Sequence, residues 1–428
     1  MPRCLPFIAL LIACSCKQPE QNAADLRERY RPAFHFTPDH NWTNDPNGLV
    51  YFKGEYHIFY QYNPYANKWG HMSWGHAVSK DLIEWEHLAV AIEEYTDAAG
   101  NSVMIFSGSA VVSNDTIVAV YTSHIHRNGE QIRQNQSIAY SIDSGRTFTR
   151  YEKNPVVDIG RRDFRDPKVF WYEPQKKWIM AAVVPDLHKV QLHESRDLKA
   201  WMLLSEFGPL GDTTKIWECP DLFEMTDDKW VMVVSNSHPQ GGPYVGMQYF
   251  IGKFDGTTFT ADSPGQYPLY VDYGKDFYAG VTFNNVPGDK RIMIGWANNW
   301  AYAGDIPTSP WKGMMALPRE LTLDQTEDGL RLKQLPITNE QPVTKNLSPS
   351  ETIEILGCVI GYDSGSVYLD RRKAGNTSFN KHFPSIERAP ARLIDGKVKL
   401  NIYVDQSIIE VFINGGEAVI TDQVFPKE

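Results

Sequence analysis

The sequence predicts an all-β protein, a five-bladed β-propeller followed by a short C-terminal β-sandwich module. After Arg31 the chain shows almost no helical periodicity, and short aromatic and β-branched runs alternate with turn residues, as in all-β proteins. Two hairpin patterns also recur in alternation between residues 31 and 328. The 12 Trp, 21 Tyr and 20 Phe fit a chain rich in strands, and flat aromatic rings also stack on sugars.

The first recurring pattern is a polar cluster, an apolar strand, a turn and a second apolar strand. In its first copy Pro46 has a fixed φ and no N–H, so we expect a turn at the mouth of a strand. The polar clusters of the five copies are Asn44-Asp45-Pro46-Asn47-Gly48, Phe106-Ser107-Gly108-Ser109, Arg165-Asp166-Pro167, Glu218-Cys219-Pro220-Asp221 and Asp276-Phe277-Tyr278-Ala279-Gly280.

The second pattern is a hairpin with a tight turn centred on an Asp and a second strand that opens on an aromatic residue. Its copies span residues 77–85, 139–148, 192–201 and 251–259. One copy of each pattern makes a four-stranded unit. Five such units in series predict a β-propeller.

In a propeller the first strand of every blade lines the central axis, so the polar clusters should converge there. A simple turn is the better interpretation of any one cluster in isolation, but its repetition in every unit favours a shared site. The residues expected to meet in one axial pocket are Asp45, Ser107, Asp166, Glu218 and Asp276.

The strand pattern changes from Leu317-Pro318-Arg319-Glu320-Leu321 onward. Residues 329–349 are predicted to be a polar connector, and residues 350–428 a second all-β module whose alternating pattern suggests a sandwich. This module offers no catalytic group, so the propeller, residues 31–328, is the predicted catalytic domain.

The N-terminus predicts export. Arg3 is a short basic region, residues 5–13 are apolar but too few to span a bilayer, and Leu11-Ile12-Ala13-Cys14 resembles a bacterial lipobox. We expect a signal peptide over residues 1–13, lipidation of Cys14 and a polar tether over residues 14–30. The protein would be a lipoprotein of the periplasm or cell surface that touches the membrane only through its lipid. An ordinary cleaved signal peptide is the alternative.

Charge and cysteine content limit the partners. The net charge of -10 argues against nucleic acid as a partner. The five Cys are too sparse for a disulfide framework, and no Cys/His spacing suggests a metal site. No cofactor is expected, and the sequence does not indicate an oligomeric state.

Two carboxylates flanking a scissile bond are the usual equipment for hydrolysing glycosides. Asp45, beside amide donors, suits an ionised nucleophile, whereas the longer Glu218 suits a general acid/base that reaches the leaving oxygen. The neighbouring Arg165 guanidinium favours the ionised form of Asp166, so Asp166 is assigned to binding hydroxyls and stabilising the transition state. A structural ion pair is the alternative for Arg165 and Asp166.

These residues also carry a family resemblance. Trp42-Thr43-Asn44-Asp45-Pro46-Asn47-Gly48, Arg165-Asp166-Pro167 and Trp217-Glu218-Cys219-Pro220 resemble the three signature motifs of glycoside hydrolase family 32, the β-fructosidases that include invertases, inulinases and levanases. Further family motifs match in order at residues 59–64, 106–109, 295–300, 317–321 and 405–412. The resemblance covers essentially the whole chain after the tether.

The resemblance implies a retaining enzyme that releases fructose from terminal β-D-fructofuranosides of fructans such as levan and inulin, and from sucrose. Asp45 would attack the anomeric carbon, and Glu218 would protonate the leaving oxygen and then activate water. Retention implies carboxyl groups about 5–5.5 Å apart. From the repeat and the resemblance together, the predicted substrate-binding residues are Asn44, Gln61, Trp69, Phe106, Ser107, Arg165, Asp276 and Trp296.

The chain departs from the family pattern in two places. Thr43 stands where Met or Leu is frequent, and the C-terminal module is shorter than the family's sandwich, which puts its last strand in doubt. A fructosyltransferase with the same nucleophile is one alternative function, and a non-catalytic glycan-binding propeller is another. Linkage preference and exo or endo action depend on loops such as residues 62–71 and 237–246.

Overall fold

The computed structural model describes residues 28–226, 228–237 and 246–427. Strands form nearly all the regular structure in these ranges, so the all-β prediction is confirmed. Long apolar helices of the kind that cross a membrane are absent from the described residues. The predicted signal peptide, Cys14, most of the tether and most of the loop at residues 237–246 lie outside the described residues.

The first two sheets follow the predicted order of one hairpin and then another. Blade 1 consists of β1 (Asn41–Phe52), β2 (Glu55–Asn63), β3 (Ser73–Ser79) and β4 (Glu86–Ile92). Blade 2 consists of β5 (Tyr95–Thr96), β6 (Ser102–Ser113), β7 (Thr116–Arg127), β8 (Glu130–Ser141) and β9 (Thr149–Arg150).

Three more antiparallel sheets complete the described part of the propeller. Blade 3 consists of β10 (Arg165–Tyr172), β11 (Lys177–Val184), β12 (Lys189–Ser195) and β13 (Met202–Phe207). Blade 4 consists of β14 (Ile216–Thr226), β15 (Lys229–Ser237), β16 (Gly246–Phe254), β17 (Phe259–Ala261) and β18 (Leu269–Tyr270). Blade 5 consists of β19 (Tyr278–Thr282), β20 (Arg291–Trp296), β22 (Arg319–Thr326) and β23 (Gly329–Pro336), whereas β21 (Trp311–Lys312) pairs in parallel with β1. Short 3-10 turns occur at Glu173–Gln175, Pro185–Leu187, Pro264–Gln266 and Pro287–Asp289.

The inner strands form a closed ring. Each of β1, β6, β10, β14 and β19 contacts the next, and β19 returns to β1. The pairing of β21 with β1 also fastens the chain that leaves β20 to the first blade. The first strands of all five sheets therefore surround one axis, as the repeat predicts.

An Asp in the turn stabilises the second hairpin of four blades. One carboxylate oxygen accepts backbone N–H groups from inside its own turn at Asp81, Asp143, Asp197 and Asp255. In three blades a Ser two residues earlier donates to this Asp, namely Ser79, Ser141 and Ser195. Local side-chain bonds of this kind favour turns, which explains the recurring Asp in the sequence.

Every inner strand carries a β-bulge at its polar cluster. The register shifts fall between Thr43 and Pro46, Phe106 and Gly108, Arg165 and Lys168, Glu218 and Asp221, and Tyr278 and Val281. The prediction of a turn at the strand mouth is therefore wrong, because β1 runs through Asp45 without a break. A bulge uses the same Pro and Gly signals as a turn, but it keeps the strand and redirects the side chain.

Two four-stranded sheets follow the propeller in the described chain. One sheet has the order β24 (Val343–Leu347), β29 (Val398–Asp405), β30 (Ile408–Ile413) and β31 (Ala418–Gln423). The other has the order β25 (Thr352–Ile355), β26 (Cys358–Asp363), β27 (Ser366–Asp370) and β28 (Ile386–Pro390). Their inner faces share one apolar core, as expected for a sandwich.

The predicted connector over residues 329–349 is wrong. Gly329–Pro336 is the outer strand of blade 5, and Val343–Leu347 pairs with β29 at the edge of the sandwich. The sandwich therefore begins before residue 350. The edge strand β24 buries only Leu347 and shows no clear apolar alternation. In β23, Leu330 and Leu332 alternate with charged residues, and Leu332 is buried in the core.

Charged groups join the sandwich to the propeller. The buried Arg319 donates to Asp272 at 2.9 Å and to Glu410 at 2.7 Å. Two of the family motifs therefore meet at this interface and not at the axial pocket. The described end of the predicted tether also belongs here, because Tyr30 is buried against Phe425.

Candidate active site

A cavity of about 860 Å³ opens at one end of the propeller axis. Its floor residues are nearly buried, whereas Trp69 at the rim is 45% exposed. The residues that line it are Asn44, Asp45, Gln61, Trp69, Phe106, Ser107, His124, His126, Gly129, Glu130, Gln131, Gln134, Arg162, Asp163, Arg165, Asp166, Glu218 and Trp300. Distant parts of the sequence therefore share one concave site, which is typical of ligand pockets.

Asp45 lies in the bulge of β1, at the floor. The Ser107 hydroxyl donates to its Oδ2 at 2.6 Å, and the Asn44 amide donates to its Oδ1 at 3.0 Å. Trp42 donates its indole N–H to the Asn44 oxygen at 2.8 Å, which fixes the amide orientation. Burial raises the pKa of Asp45, while these hydrogen bonds partly oppose the rise. The carboxylate is thus held in one orientation with its charge partly stabilised.

Glu218 lies in the bulge of β14, and each of its carboxylate oxygens accepts a hydrogen bond. Arg165 donates from Nη2 to Oε1 at 2.9 Å, and the Tyr278 hydroxyl donates to Oε2. Its side chain is 20% exposed, compared with 7% for Asp166, so Glu218 is the more accessible of these two acids. Such a group can exchange protons with a substrate in the cavity.

Asp166 lies deeper, in the bulge of β10, with a φ of 61°. Its Oδ2 accepts the backbone N–H of Cys219 at 2.9 Å and lies 3.8 Å from Nε of Arg165. Burial raises its pKa to about 7, although Arg165 acts in the opposite direction. The guanidinium of Arg165 does favour the ionised form of Asp166, as expected, but the cost of burying the charge is larger than this gain.

The thiol of Cys219 connects the two Asp residues. Its sulfur lies 3.6 Å from Oδ2 of Asp45 and 3.7 Å from Oδ2 of Asp166. Burial raises the pKa of Cys219, so the sulfur remains a protonated thiol. The sequence-distant acids Asp45, Asp166 and Glu218 therefore do come together, as the repeat predicts.

Most of the predicted substrate-binding residues line the cavity. Gln61 donates to the Ile105 carbonyl at 2.9 Å and lies on the floor beside Asn44. Phe106 packs edge-on against Trp69, with 6.2 Å between ring centroids, so these aromatic rings form one wall. Ser107 and Arg165 also line the cavity, through the contacts described above.

Two predicted residues are not in the cavity. Asp276 is fully buried at the interface with the sandwich, where it accepts hydrogen bonds from Tyr302 at 2.6 Å and Arg371 at 2.5 Å. Trp296 is also fully buried, beneath Trp300, with 4.8 Å between ring centroids. Trp300 lines the cavity instead.

The error at Asp276 has a structural cause. The bulge of β19 begins at Tyr278, two residues after Asp276, and so Tyr278 and not Asp276 corresponds to the polar position of the other strands. The fifth copy of the repeat contains Tyr278 at this position, but the sequence analysis considered charged residues and therefore selected Asp276. Sequence analysis also missed His124, His126 and Gln134, which belong to the long hairpin of β7 and β8.

The arrangement has the groups needed to cleave a glycosidic bond. It contains two carboxylates with different surroundings, Asp45 under hydroxyl and amide donors and Glu218 between a guanidinium and a phenol, and such differences separate nucleophile from acid/base. Within the described residues, no three His, Cys, Asp or Glu side chains are grouped so that they could hold a metal ion.

Known proteins resemble both the sequence and the structure. The sequence models "Glycosyl hydrolases family 32 N-terminal domain" and "Glycosyl hydrolases family 32 C terminal" match residues 35–336 and 356–428. A levanase of Bacillus subtilis is 43% identical over 487 aligned residues, which cover 98% of this chain and 70% of the relative. An extracellular exo-inulinase of Aspergillus awamori is 37% identical over 490 residues, which cover 95% of this chain and 91% of the relative.

Solved structures agree with these matches. The crystal structure of exo-inulinase from Aspergillus awamori superposes with a TM-score of 0.84 at 36% identity and covers 93% of both chains. The β-fructofuranosidase of Schwanniomyces occidentalis, complexed with fructosyl-erythritol, gives a TM-score of 0.82 at 34% identity and covers 94% of this chain and 93% of the other. On its sequence, fold and cavity, the chain belongs to family 32 of the glycosyl hydrolases.

Proposed function

We propose that the protein is a retaining β-fructofuranosidase that releases fructose from the ends of fructans such as levan and inulin, and from sucrose. The observation that carries this proposal is the meeting of Asp45, Asp166 and Glu218 at the floor of one cavity. The names of the relatives, levanase and exo-inulinase, support the choice of sugar.

Asp45 is the proposed nucleophile. Ser107 and Asn44 hold both of its oxygens, so the carboxylate keeps one orientation while it attacks the anomeric carbon. The covalent fructosyl–Asp45 ester forms as the bond to the leaving oxygen breaks. Glu218 donates its proton to that oxygen, and then removes a proton from the water that hydrolyses the ester.

Asp166 and Arg165 complete the proposed fructose subsite. Asp166 shares the cavity floor with Asp45, so it can accept hydrogen bonds from sugar hydroxyls, and its ionised form can stabilise positive charge at the ring. Arg165 donates to Glu218 and lies against Asp166, which places one fixed cation among three acids. That cation limits their mutual repulsion before substrate enters.

The shape of the cavity favours action at chain ends. Asn44, Asp45 and Gln61 are 3%, 8% and 2% exposed, so a sugar that reaches them must enter from the mouth. A terminal fructose fits such a site, whereas an internal unit would need an open cleft.

Early products from levan, inulin and sucrose test the proposal. We expect fructose as the first product from each polymer, detected by chromatography. Longer oligosaccharides as first products would contradict exo action. Oligofructosides that exceed free fructose at high sucrose would instead indicate a fructosyltransferase.

Variants of the two acids test their roles. Asp45→Ala should form no adduct, whereas Glu218→Ala should accumulate a fructosyl adduct from fructosyl fluoride, because fluoride leaves without protonation. Peptide mass spectrometry locates the adduct, and the exposed Asp115→Ala serves as the control. An adduct on a residue other than Asp45 would overturn the assignment.

Export by lipidation is a separate part of the proposal. The support is the Leu11-Ile12-Ala13-Cys14 sequence, in a segment outside the described residues, together with the extracellular location named for an exo-inulinase relative. Palmitate labelling should be lost in Cys14→Ser and kept in the matched Cys16→Ser variant. A parent protein without palmitate label would support an ordinary signal peptide, and labelling that persists in Cys14→Ser would place the lipid on another residue.

A further inference from the structure

The hairpin of blade 2 forms one wall of the cavity between its floor and its mouth. β7 and β8 each have 12 residues, whereas β11 and β12, the matching strands of blade 3, have 8 and 7. His126, Gly129 and Glu130, near the hairpin tip, line the cavity. Since the proposed fructose subsite is at the floor, a group on this wall faces the remainder of the substrate.

A chain of hydrogen bonds fixes the proton positions along this wall. The backbone N–H of Phe164 can only donate, and it lies 3.0 Å from Oε1 of Gln134, so that atom is the amide oxygen. The Gln134 nitrogen then donates to Nδ1 of His124 at 2.9 Å. His124 therefore carries its proton on Nε2.

The same reasoning determines the tautomer of His126. Nε2 of His124 and Nε2 of His126 are 2.9 Å apart, so the His126 nitrogen must accept. A neutral His126 then carries its proton on Nδ1. No hydrogen bond from this nitrogen to another described residue is present, and the ring lines the cavity.

Both rings are suited to the neutral state. Burial lowers the pKa of His124 to about 3, and burial also lowers the pKa of His126. His124 is further held by stacking on Phe106, with 3.9 Å between ring centroids and an interplanar angle of 5°. Gln134 also accepts a hydrogen bond from Arg165 at 3.3 Å. Since Arg165 also donates to Glu218, this wall is connected to the proposed acid/base.

We propose that Nδ1–H of His126 donates a hydrogen bond to the sugar unit on the leaving-group side of the scissile bond. His124 and Gln134 are positioning residues that hold His126 in the tautomer that donates into the cavity. This inference rests on the proposed function, because it takes the floor as the fructose subsite. His126 is then a specificity residue for sugar leaving groups and has no role in bond cleavage.

Two substrates that differ only in their leaving group test this proposal. A fructosyl-sucrose trisaccharide offers a sugar to His126, whereas methyl β-D-fructofuranoside does not. His126→Leu should raise KM for the trisaccharide about fivefold, the effect of one lost neutral hydrogen bond. kcat, and both constants for the methyl fructoside, should stay within about twofold of the parent.

Three further variants separate binding from structure. His126→Gln offers an acceptor and a donor on one side chain and should restore most of the trisaccharide KM. His124→Phe keeps a flat ring on Phe106 but removes the Nε2–H, so it should raise the same KM selectively. Ile132 lies on the same hairpin and is 40% exposed. Ile132→Ala is therefore the matched control, and it should change KM for neither substrate.

Ring-nitrogen NMR provides a readout independent of activity. We expect the Nδ1–H tautomer for His126 and the Nε2–H tautomer for His124. An Nε2–H tautomer at His126 would overturn the proposal, as would equal KM changes on both substrates or no change on either. A parent enzyme that releases fructose from neither substrate would instead refute the proposed function.

Discussion

The hydroxyl of Ser107 lies 2.6 Å from Oδ2 of Asp45 and donates a hydrogen bond to it. Asn44 donates to the other oxygen. Burial raises the pKa of Asp45 above its usual range, and the bond from Ser107 is the largest influence that lowers it. The charge of the proposed nucleophile at a given pH therefore depends on a residue 62 positions away in the sequence.

Ser107→Ala should move the acid limb of the pH profile to higher pH. Asp45 must be ionised to attack, and a hydrogen bond to a charged group contributes about 1.5–3 kcal/mol, so the limb of kcat/KM should rise by about one pH unit or more. Sucrose hydrolysis measured between pH 3 and 8 checks this. Ser107→Thr retains the hydroxyl and is the control. An unmoved limb in Ser107→Ala would mean that another group sets it.

The fold was largely predictable because its signals are local and repeated. The turn Asp residues, such as Asp81 and Asp197, accept backbone N–H groups of their own turns, so each of these hairpins can be recognised from its local sequence. The polar clusters repeat at the bulges, which is why Asp45, Asp166 and Glu218 could be brought together without coordinates. The edge strand β24 lacks such signals because all its residues except Leu347 are exposed.

The errors in the site have three structural causes. A bulge changes which residue faces the axis, and for this reason Asp276 was predicted at the position that Tyr278 occupies. Burial cannot be inferred from a neighbour in sequence, so the sequence shows the effect of Arg165 on the pKa of Asp166 but not the larger effect of burial. Contacts between blades, such as Gln134 with Arg165, depend on the closed ring and have no local pattern.

Tyr278→Phe should impair the proton transfers of Glu218. Burial and the nearby Glu218 raise the pKa of Tyr278, so its hydroxyl stays protonated and can donate to Oε2. Without that bond only Arg165 orients the carboxyl group, and kcat for sucrose should fall about tenfold to hundredfold. Adduct formation from fructosyl fluoride, measured in a single turnover, should fall less than about threefold because fluoride needs no proton to leave. Equal losses in both assays would show that Tyr278 supports the fold and not proton transfer.

Asp276→Ala should destabilise the protein without changing substrate affinity. Asp276 accepts from Arg371 and from the backbone N–H of Gln423, and both groups are buried where propeller and sandwich meet. Removing one partner of a buried ion pair costs about 3–5 kcal/mol, because the other charge stays buried. Urea unfolding measures this loss, and KM for sucrose should stay within about twofold.

The milder Asp276→Asn covers the case in which the Ala variant does not fold. It retains an oxygen for the Gln423 N–H but loses the charge opposite Arg371. A raised KM with unchanged stability in either variant would return Asp276 to the substrate-binding residues.

Asp166→Asn should stabilise the protein at alkaline pH and not at acidic pH. The folded-state pKa of Asp166 is raised to about 7, whereas an unfolded Asp titrates near about 3.9. Between these values the folded state binds more protons than the unfolded state, so the contribution of Asp166 to stability falls as pH rises. The full penalty above pH 7 is roughly 4 kcal/mol at most, from the difference between the two pKa values.

The Asn variant lacks this penalty, and its amide oxygen can still accept the backbone N–H of Cys219. Arg165 keeps Glu218 and Asp163 as partners, so no charge is left alone. The difference in Tm between Asp166→Asn and the parent should therefore be largest near pH 8 and vanish near pH 4. Titrating groups distant from Asp166 are common to both proteins and cancel in this difference. A Tm difference that does not change with pH would show that Asp166 is ionised throughout, and that Arg165 outweighs burial after all.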